Sequence, residues 1–131
     1  FGSLIVSQDG HVLMEDYNRT GTGDVTAHPE LAIARWASLN LSEEEREAAT
    51  VYTSCEHCAM CAAAHGFAGL GRIVFATSND QLLTWREEMG AGEFDFKPIP
   101  ARDILPDHDI DGPDEAFADD VRALHEKAMR R

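Results

Sequence analysis

Residues 50–77, TVYTSCEHCAMCAAAHGFAGLGRIVFAT, decide the fold of this chain. The stretch opens with a β-prone run at residues 50–53 and continues into an Ala-, Met- and Phe-rich segment at 58–68, which predicts a buried helix. After two glycines it ends in the run Arg-Ile-Val-Phe-Ala-Thr at 72–77, which predicts a fully buried strand, typical of a sheet covered on both faces. The stretch therefore predicts a β-α-β crossover.

The residues before this crossover predict a hairpin and two helices. Two apolar runs at 3–7 and 11–17 flank an Asp-Gly pair, which readily supplies a tight hairpin turn. Residues 18–27 have no apolar period and indicate a loop. A helix is expected over 28–39, with a proline in its first turn. The Ser-x-x-Glu pattern at 42–45 is a capping box and predicts a short surface helix.

The residues after the crossover complete a three-layer arrangement. A short helix is expected at 81–88, and the surrounding Gly- and Pro-containing segment 78–100 is expected to form a loop wall beside a pocket. Residues 101–105 are predicted to be the last strand, and 111–113 to start a final amphipathic helix. The prediction is an α/β fold, a three-layer α-β-α sandwich around a mixed, roughly five-stranded sheet. Residues 1–131 are expected to form a single domain, and the expectation allows for an N-terminal segment before residue 1.

Charge and cysteine content narrow the possible functions. Eleven Lys and Arg residues against 24 Asp and Glu residues give a formal net charge of −13, which disfavours a nucleic-acid partner and favours a small-molecule substrate. All three cysteines fall within residues 55–61, too close for a disulfide framework, so we expect a reducing, cytoplasmic location. No apolar run approaches the roughly 20 residues of a membrane span, and we expect no membrane partner.

Two short segments carry the chemistry: His28-Pro29-Glu30 and Cys58-Ala59-Met60-Cys61. One imidazole and two thiolates, from His28, Cys58 and Cys61, are three ligands of a tetrahedral zinc site that leaves its fourth position to water. Both segments stand at predicted helix starts, where side chains lean toward the N-terminal end and can meet at one point. Glu30 is not needed as a metal ligand, so we predict that it is the catalytic group that transfers protons.

Two other interpretations of the cysteines stay open. Cys55-x-x-Cys58-x-x-Cys61 resembles part of an iron–sulfur run, but it would need a histidine as its fourth ligand. A zinc-stabilised module without catalysis is the second alternative, although a structural site has no use for the Glu30 carboxylate. Otherwise Cys55 is expected to be a small buried residue at the end of its strand.

Taken together, His-x-Glu and Cys-x-x-Cys resemble the signature of the cytidine deaminase-like superfamily. The resemblance covers residues 1 to about 75 and is greatest to the free-nucleobase branch, through residues 18–19, 26–30 and 52–61. It implies a Zn²⁺-dependent deaminase that releases ammonia. The family usually has Ala at Pro29 and Pro at His57; we interpret His57 as a replacement at an exposed cap, with a functional histidine beside the metal as the alternative.

The resemblance also implies substrate contacts, for Asn18, Ala27, Glu56, Phe1 and Trp85. Asn18 would hydrogen-bond the ring, the Ala27 carbonyl would contact its reacting end, and Glu56 would be a second carboxylate near the metal. Phe1 and Trp85 would sandwich a flat ring. The final helix would close the pocket, and one of its acidic residues could hold an amino group; the candidates are Asp114, Glu115, Asp119 and Asp120.

The substrate class expected from these residues is a free amino-substituted nucleobase or related heterocycle, of the guanine, cytosine or aminotriazine type. A tRNA adenosine deaminase is the alternative, because such enzymes share nearly the same motifs. It would have to hold a polyanion, whereas the basic residues of this chain are scattered. They include Arg72, Arg86, Lys97, Arg102 and Arg122. Family analogy further predicts a homodimer.

Overall fold

A computed structural model describes residues 1–130, which contain five strands and six α-helices. The strands are β1 (Gly2–Val6), β2 (Val12–Tyr17), β3 (Thr50–Cys55), β4 (Arg72–Thr77) and β5 (Ile110–Asp111). The helices are α1 (Pro29–Asn40), α2 (Glu43–Ala48), α3 (Ala59–Phe67), α4 (Asn79–Glu88), α5 (Ala101–Ile104) and α6 (Ala118–Met129). No helix within these residues is long and apolar enough to cross a membrane.

The sheet has the order β2-β1-β3-β4-β5 and mixes both strand orientations. β1 is antiparallel to both of its neighbours, whereas β3, β4 and β5 run parallel. The β3-α3-β4 unit is the crossover predicted from residues 50–77. Because Cys55 pairs with Thr77 in register, the carboxyl ends of β3 and β4 lie side by side, and α3 starts just beyond them. The predicted α/β class with a mixed five-stranded sheet is confirmed.

The main core lies between the sheet and the helix pair α1 and α3. Ile5 and Val51 point from β1 and β3 toward Ile33 and Ala37 of α1, and all four are at most 1% exposed. Burying each large aliphatic side chain stabilises the fold by about 1.5–3 kcal/mol. At the end of the crossover a Cβ on Gly71 would collide with a backbone carbonyl of α2, so only glycine permits this close approach. The core therefore fixes where α1 and α3 begin.

Two predicted elements near the C-terminus are wrong. The predicted strand at 101–105 is instead the short helix α5 (Ala101–Ile104) with its C-cap Leu105, because Ala101 and Leu105, one helical turn apart, both pack into a second core cluster. The last strand is the two-residue β5, so residue 111 ends a strand and does not begin a helix. The final helix starts at Ala118, after a 3₁₀ turn at Glu115–Phe117.

The second face of the sheet is only partly covered. The 3₁₀ turn and α6 pack against β4, with Val121 buried. Toward β1 and β3 this face has an open groove of about 660 Å³, lined by Leu4, Tyr52 and Phe117 among others. None of the predicted metal ligands lines this groove, so the chemistry belongs to another cavity.

Candidate active site

Two helix starts bring the predicted metal ligands together. His28 is the N-cap of α1 and Cys58 is the N-cap of α3, while Cys61 lies in the first turn of α3. His28 Nδ1 is 3.6 Å from Cys58 Sγ and 3.5 Å from Cys61 Sγ. Within residues 1–130 no other group of three His, Cys, Asp or Glu side chains brings its ligand atoms within 4.8 Å of one another. The geometry predicted from the two motifs is therefore present.

These separations fit zinc. Zinc bonds of about 2.3 Å to sulfur and 2.0 Å to nitrogen, at a tetrahedral angle, place the two ligand atoms about 3.5 Å apart. The measured nitrogen–sulfur distances match this value. Cys61 is fully buried, and His28 and Cys58 are half-buried beside a cavity, so the three donors can hold an ion that is open on one side.

The electrostatics of the ligands favour a metal cation. Hydrogen bonds from Cys61 and His28 lower the pKa of the Cys58 thiol to about 4, and Cys58 in turn raises the pKa of His28. The hydrogen bond with Cys58, and after it burial and the negative charge on Cys58, raise the pKa of the Cys61 thiol. Both cysteines lie at the positive end of the α3 dipole, which stabilises thiolates. A metal that binds both sulfurs must therefore displace one proton.

Glu30 is held in a defined orientation beside these ligands. It is in the first turn of α1 and only 9% exposed. The hydroxyls of Ser3 and Thr53 donate to its Oε1, at 2.9 and 2.7 Å. Its Oε2 has no hydrogen-bond partner in residues 1–130, and Glu30 lines the cavity. The carboxylate thus keeps one oxygen for a bound molecule.

Sequence reasoning missed Ser3 and Thr53. They are directly opposite each other in the β1–β3 ladder, and their hydroxyls lie 2.8 Å apart. Each is a polar residue on the otherwise apolar face that α1 covers, which is the signal that could have found them. The pairing of two strands about 50 residues apart cannot be read from either strand alone.

The cavity itself has a volume of about 350 Å³. At one end, which we term the metal end, it is lined by His28, Glu30 and Cys58. A second part of the lining, which we term the wall, comes from α4, the following loop and α6. The residues that define the wall are Arg86, Phe94, Phe96, Pro98 and His125. Segment 78–100 is therefore a pocket wall, as predicted.

Three of the five predicted substrate-contacting residues line the cavity: Phe1, Asn18 and Glu56. Asn18 Oδ1 accepts hydrogen bonds from the backbone and hydroxyl of Thr20, at 2.9 and 2.7 Å. Because these bonds occupy the oxygen, the Nδ2 group of Asn18 is the side available to a ligand. The Phe1 ring lies 4.2 Å from the ring of His125, centroid to centroid.

Glu56 is engaged in a structural role. Its Oε1 accepts from the backbone N–H of Asn79 at 2.9 Å, and its Oε2 accepts from that of Ala101 at 2.6 Å. These are the first residues of α4 and α5, so one buried carboxylate holds two helix starts. Both of its oxygens already have protein partners, which leaves Glu56 less suited to contact substrate than Glu30.

Trp85 and Ala27 do not line the cavity. Trp85 is buried on α4 behind His125, with the two rings 5.9 Å apart, so it supports the wall instead of contacting a ligand. The Ala27 carbonyl accepts a hydrogen bond from the backbone N–H of Arg19 at 2.9 Å. The four acidic candidates near α6 also lie outside the cavity, and Asp114 lines the groove on the other face of the sheet.

His125 is the residue that α6 contributes to the cavity. Its Nε2 is 3.7 Å from Cys55 Sγ, and burial is the main cause that lowers its pKa to about 4. Cys55 ends β3 as expected, but it is half-buried and lines the cavity, and it lies outside the three-ligand cluster. The structure thus does not group Cys55 with Cys58 and Cys61, as the iron–sulfur alternative requires.

His57 is not at an exposed cap. It is 1% exposed, neither ring nitrogen has a hydrogen-bond partner, and burial lowers its pKa to about 3. Its ring packs edge-on against His65, with centroids 5.4 Å apart. The chain turns inward between β3 and α3, where the His57 carbonyl accepts from Asn79. The ring therefore fills core space as a neutral group.

An α/β fold with a mixed sheet and a His-Cys-Cys metal site at two helix starts is typical of the zinc-dependent deaminases. The family described as "Cytidine and deoxycytidylate deaminase zinc-binding region" matches residues 1–77 of this chain. The chain belongs to this family, and the predicted zinc cofactor is confirmed by the match together with the ligand cluster.

Curated relatives in this family differ in substrate. A probable cytosine deaminase of Schizosaccharomyces pombe is 36% identical over 105 residues, which are 80% of this chain and 62% of the relative. A tRNA-specific adenosine deaminase of Agrobacterium fabrum is 40% identical over 79 residues, 60% of this chain and 51% of the relative. The chain thus spans about half to three-fifths of the length of these two relatives.

A solved structure supports the fold along nearly the whole chain. The guanine deaminase of Nitrosomonas europaea superposes with a TM-score of 0.64 and 19% identity, over 96% of this chain and 70% of that one. At this identity the likeness concerns the fold alone.

Proposed function

We propose that this protein is a hydrolytic deaminase that acts on a free amino-substituted nucleobase or related heterocycle. The observation that carries the proposal is Glu30, whose Oε1 is held by two buried hydroxyls while its Oε2 is left to the cavity beside three zinc-type ligands. A structural metal site would gain nothing from a carboxylate held in this way.

Glu30 would perform the proton transfers. Zinc bound by His28, Cys58 and Cys61 would supply the Lewis acidity that makes water a nucleophile near neutral pH. Glu30 accepts a proton from the attacking water at Oε2 and donates it to the ring nitrogen next to the carbon under attack. It then transfers the second water proton to the amino group, the carbon–nitrogen bond breaks, and ammonia leaves. The two hydroxyls on Oε1 keep the carboxylate aimed throughout.

The rest of the cavity supports a small flat substrate. Its volume of about 350 Å³ is at the lower end of the range for ligand pockets. Aromatic side chains line it at Phe1 and Phe94, and Asn18 Nδ2 is free to donate to a ring oxygen or nitrogen. An aromatic ring with polar edges satisfies both kinds of surface.

The alternative substrate is tRNA, which the identity to the Agrobacterium fabrum enzyme favours. Against it stands the formal net charge of −13, which opposes binding of a polyanion. A tRNA substrate predicts tight binding with a steep salt dependence and formation of inosine, with no turnover of free bases. The free-base proposal predicts the opposite result in both measurements.

An ammonia-release screen tests the proposal. Zinc-loaded protein is assayed with guanine, cytosine, adenine, their nucleosides and aminotriazines, and with tRNA. We expect release from at least one free base, and Glu30→Ala should abolish it while keeping one zinc per chain. Glu44→Ala, at an exposed position of α2, is the control and should retain activity. Full activity in Glu30→Ala would overturn the mechanism.

A further inference from the structure

Arg86 is the one Lys or Arg residue among the described residues that line the cavity. No acidic side chain of residues 1–130 forms a salt bridge with its guanidinium. Other arginines of this acidic chain have such partners: Arg19 with Asp16, Arg72 with Asp109, and Arg122 with Glu88. Arg86 thus brings an uncompensated positive charge to the substrate cavity.

The guanidinium of Arg86 is held in place by the loop that follows α4. Its Nη2 donates to the Gly92 carbonyl at 2.7 Å, and its Cζ lies 4.3 Å from the centroid of the Phe94 ring. Phe94 in turn stacks on Phe96 at 5.0 Å. A guanidinium has five N–H donors, and the other donors of Arg86 have no acceptor in residues 1–130. The group is therefore positioned and still able to bind a ligand.

Neither carboxylate of the cavity forms a salt bridge with Arg86. Glu30 is held by Ser3 and Thr53, and both Glu56 oxygens accept from backbone N–H groups. His125, the titratable ring of the wall, is half-buried; burial, and after it the charges of the N-terminus and Arg86, lower its pKa to about 4, so the ring is neutral near pH 7. The cavity thus contains a positioned cation that forms no salt bridge with the carboxylates around it.

We infer that Arg86 is a specificity-determining residue that selects amino heterocycles carrying an anionic oxygen group, a carboxylate or a phosphate. A guanidinium matches a carboxylate or a phosphate with paired hydrogen bonds, and the partly enclosed site strengthens them. The inference rests on the proposed function for the nature of the ring. It differs from the expectation of an acidic residue holding an amino group, because no such residue lines the wall.

The kinetic test compares substrates that differ only in the anionic group. Cytosine is paired with its 5- and 6-carboxylates, and cytidine with its 5′-phosphate, so that the two arms distinguish carboxylate from phosphate. We expect wild-type kcat/KM to be about 10- to 100-fold higher for at least one anionic partner. Arg86→Gln should lose that preference, so that the ratio of kcat/KM for the anionic partner to kcat/KM for the neutral partner falls to about one. Arg102→Gln, an exposed arginine of α5, should behave as wild type.

A binding test is independent of turnover. Titration of zinc-loaded protein with uracil and its 5- and 6-carboxylates, which are products of the same rings, should show the preference in Kd and its loss in Arg86→Gln. Arg86→Lys, which keeps the positive charge but lacks the planar guanidinium with its paired donors, should retain part of the preference in Kd. Equal wild-type affinity and kcat/KM for all neutral and anionic partners would overturn the inference. Absence of ammonia from every free base would overturn only the proposed function.

Discussion

The two sides of the cavity are built differently. The metal end comes from helix starts and strand residues within 1–77, the part that the family match covers. The wall comes from α4, its following loop and α6, all beyond residue 77. One side depends on short motifs, and the other depends on how distant elements pack. The comparison indicates that the positions of the metal ligands and Glu30 are specified by local motifs, whereas the wall depends on the packing of the C-terminal half.

The two sides differ in how precisely their atoms must be placed, and this explains why they are built differently. A metal site requires ligand atoms placed within about 0.2 Å, and helix N-caps that start at fixed points of a core provide that rigidity. A wall needs only the correct shape and a few polar groups, so loops can supply it. Substitutions at the metal end should therefore abolish the chemistry, and those at the wall should change what is bound.

The largest effect is expected for Cys61→Ser, which should lose bound zinc and at least about 10³-fold in ammonia release. Serine does not ionise as a thiol does, and Cys61 is fully buried, so no other ligand can replace it. Metal analysis of the purified protein measures the loss. Cys55→Ser, outside the cluster, is the control and should keep its zinc. Normal zinc content in Cys61→Ser would remove Cys61 from the site.

Glu56→Gln tests the hydrogen bonds by which Glu56 holds the starts of α4 and α5 next to the metal end. The change leaves an amide N–H group facing a backbone N–H of either α4 or α5, which should cost about 1.5–3 kcal/mol of unfolding free energy. Because α4 carries the wall, we also expect KM to rise more than kcat falls. Urea unfolding and steady-state kinetics measure the two effects. The exposed Glu47→Gln is the control; an equal response in both variants would contradict the role of Glu56.

His65 tests the core behind the metal end. Burial lowers its pKa to about 4, below the ordinary value near 6.5, so between these values the unfolded chain binds a proton that the folded chain does not. Its contribution to stability is complete above pH 6.5 and is lost as pH falls toward 4, by about 2 kcal/mol at pH 5.

We therefore expect the free energy of unfolding of His65→Gln to fall by about 2 kcal/mol less than that of wild type between pH 7 and pH 5, as measured by urea unfolding. His11→Gln, at an exposed position, should keep the wild-type slope. Identical slopes for wild type and His65→Gln would show that His65 does not titrate as its burial indicates.

The smallest effect is expected for Thr53→Val. The substitution keeps the shape of the side chain and removes one of the two hydroxyls on Glu30 Oε1, so kcat should fall about tenfold while zinc is retained. Thr50→Val, at the other end of β3, is the matched control and should leave kcat unchanged. A kcat equal to wild type in Thr53→Val would mean that Ser3 alone positions Glu30.

Local patterns predicted the elements that depend on neighbours in sequence. The hairpin, the capping box at Ser42 and the β3-α3-β4 crossover all formed as expected. Residues 101–105 were misassigned because five apolar-rich residues suit a strand or a helical turn equally, and packing against β4 decides between them. The predictions of one domain over 1–131, a homodimer and a cytoplasmic location stay predictions.

The sequence by itself determined the metal ligands and Glu30, because these residues lie within a few positions of two helix starts. Only the tertiary structure decided that Ser3 and Thr53 orient Glu30, that Glu56 holds two helices, that His57 is buried, and that Arg86 and His125 line the cavity. These relations join residues 20 to 70 positions apart. They exist only once the sheet register and the packing of α4 and α6 bring those residues into contact.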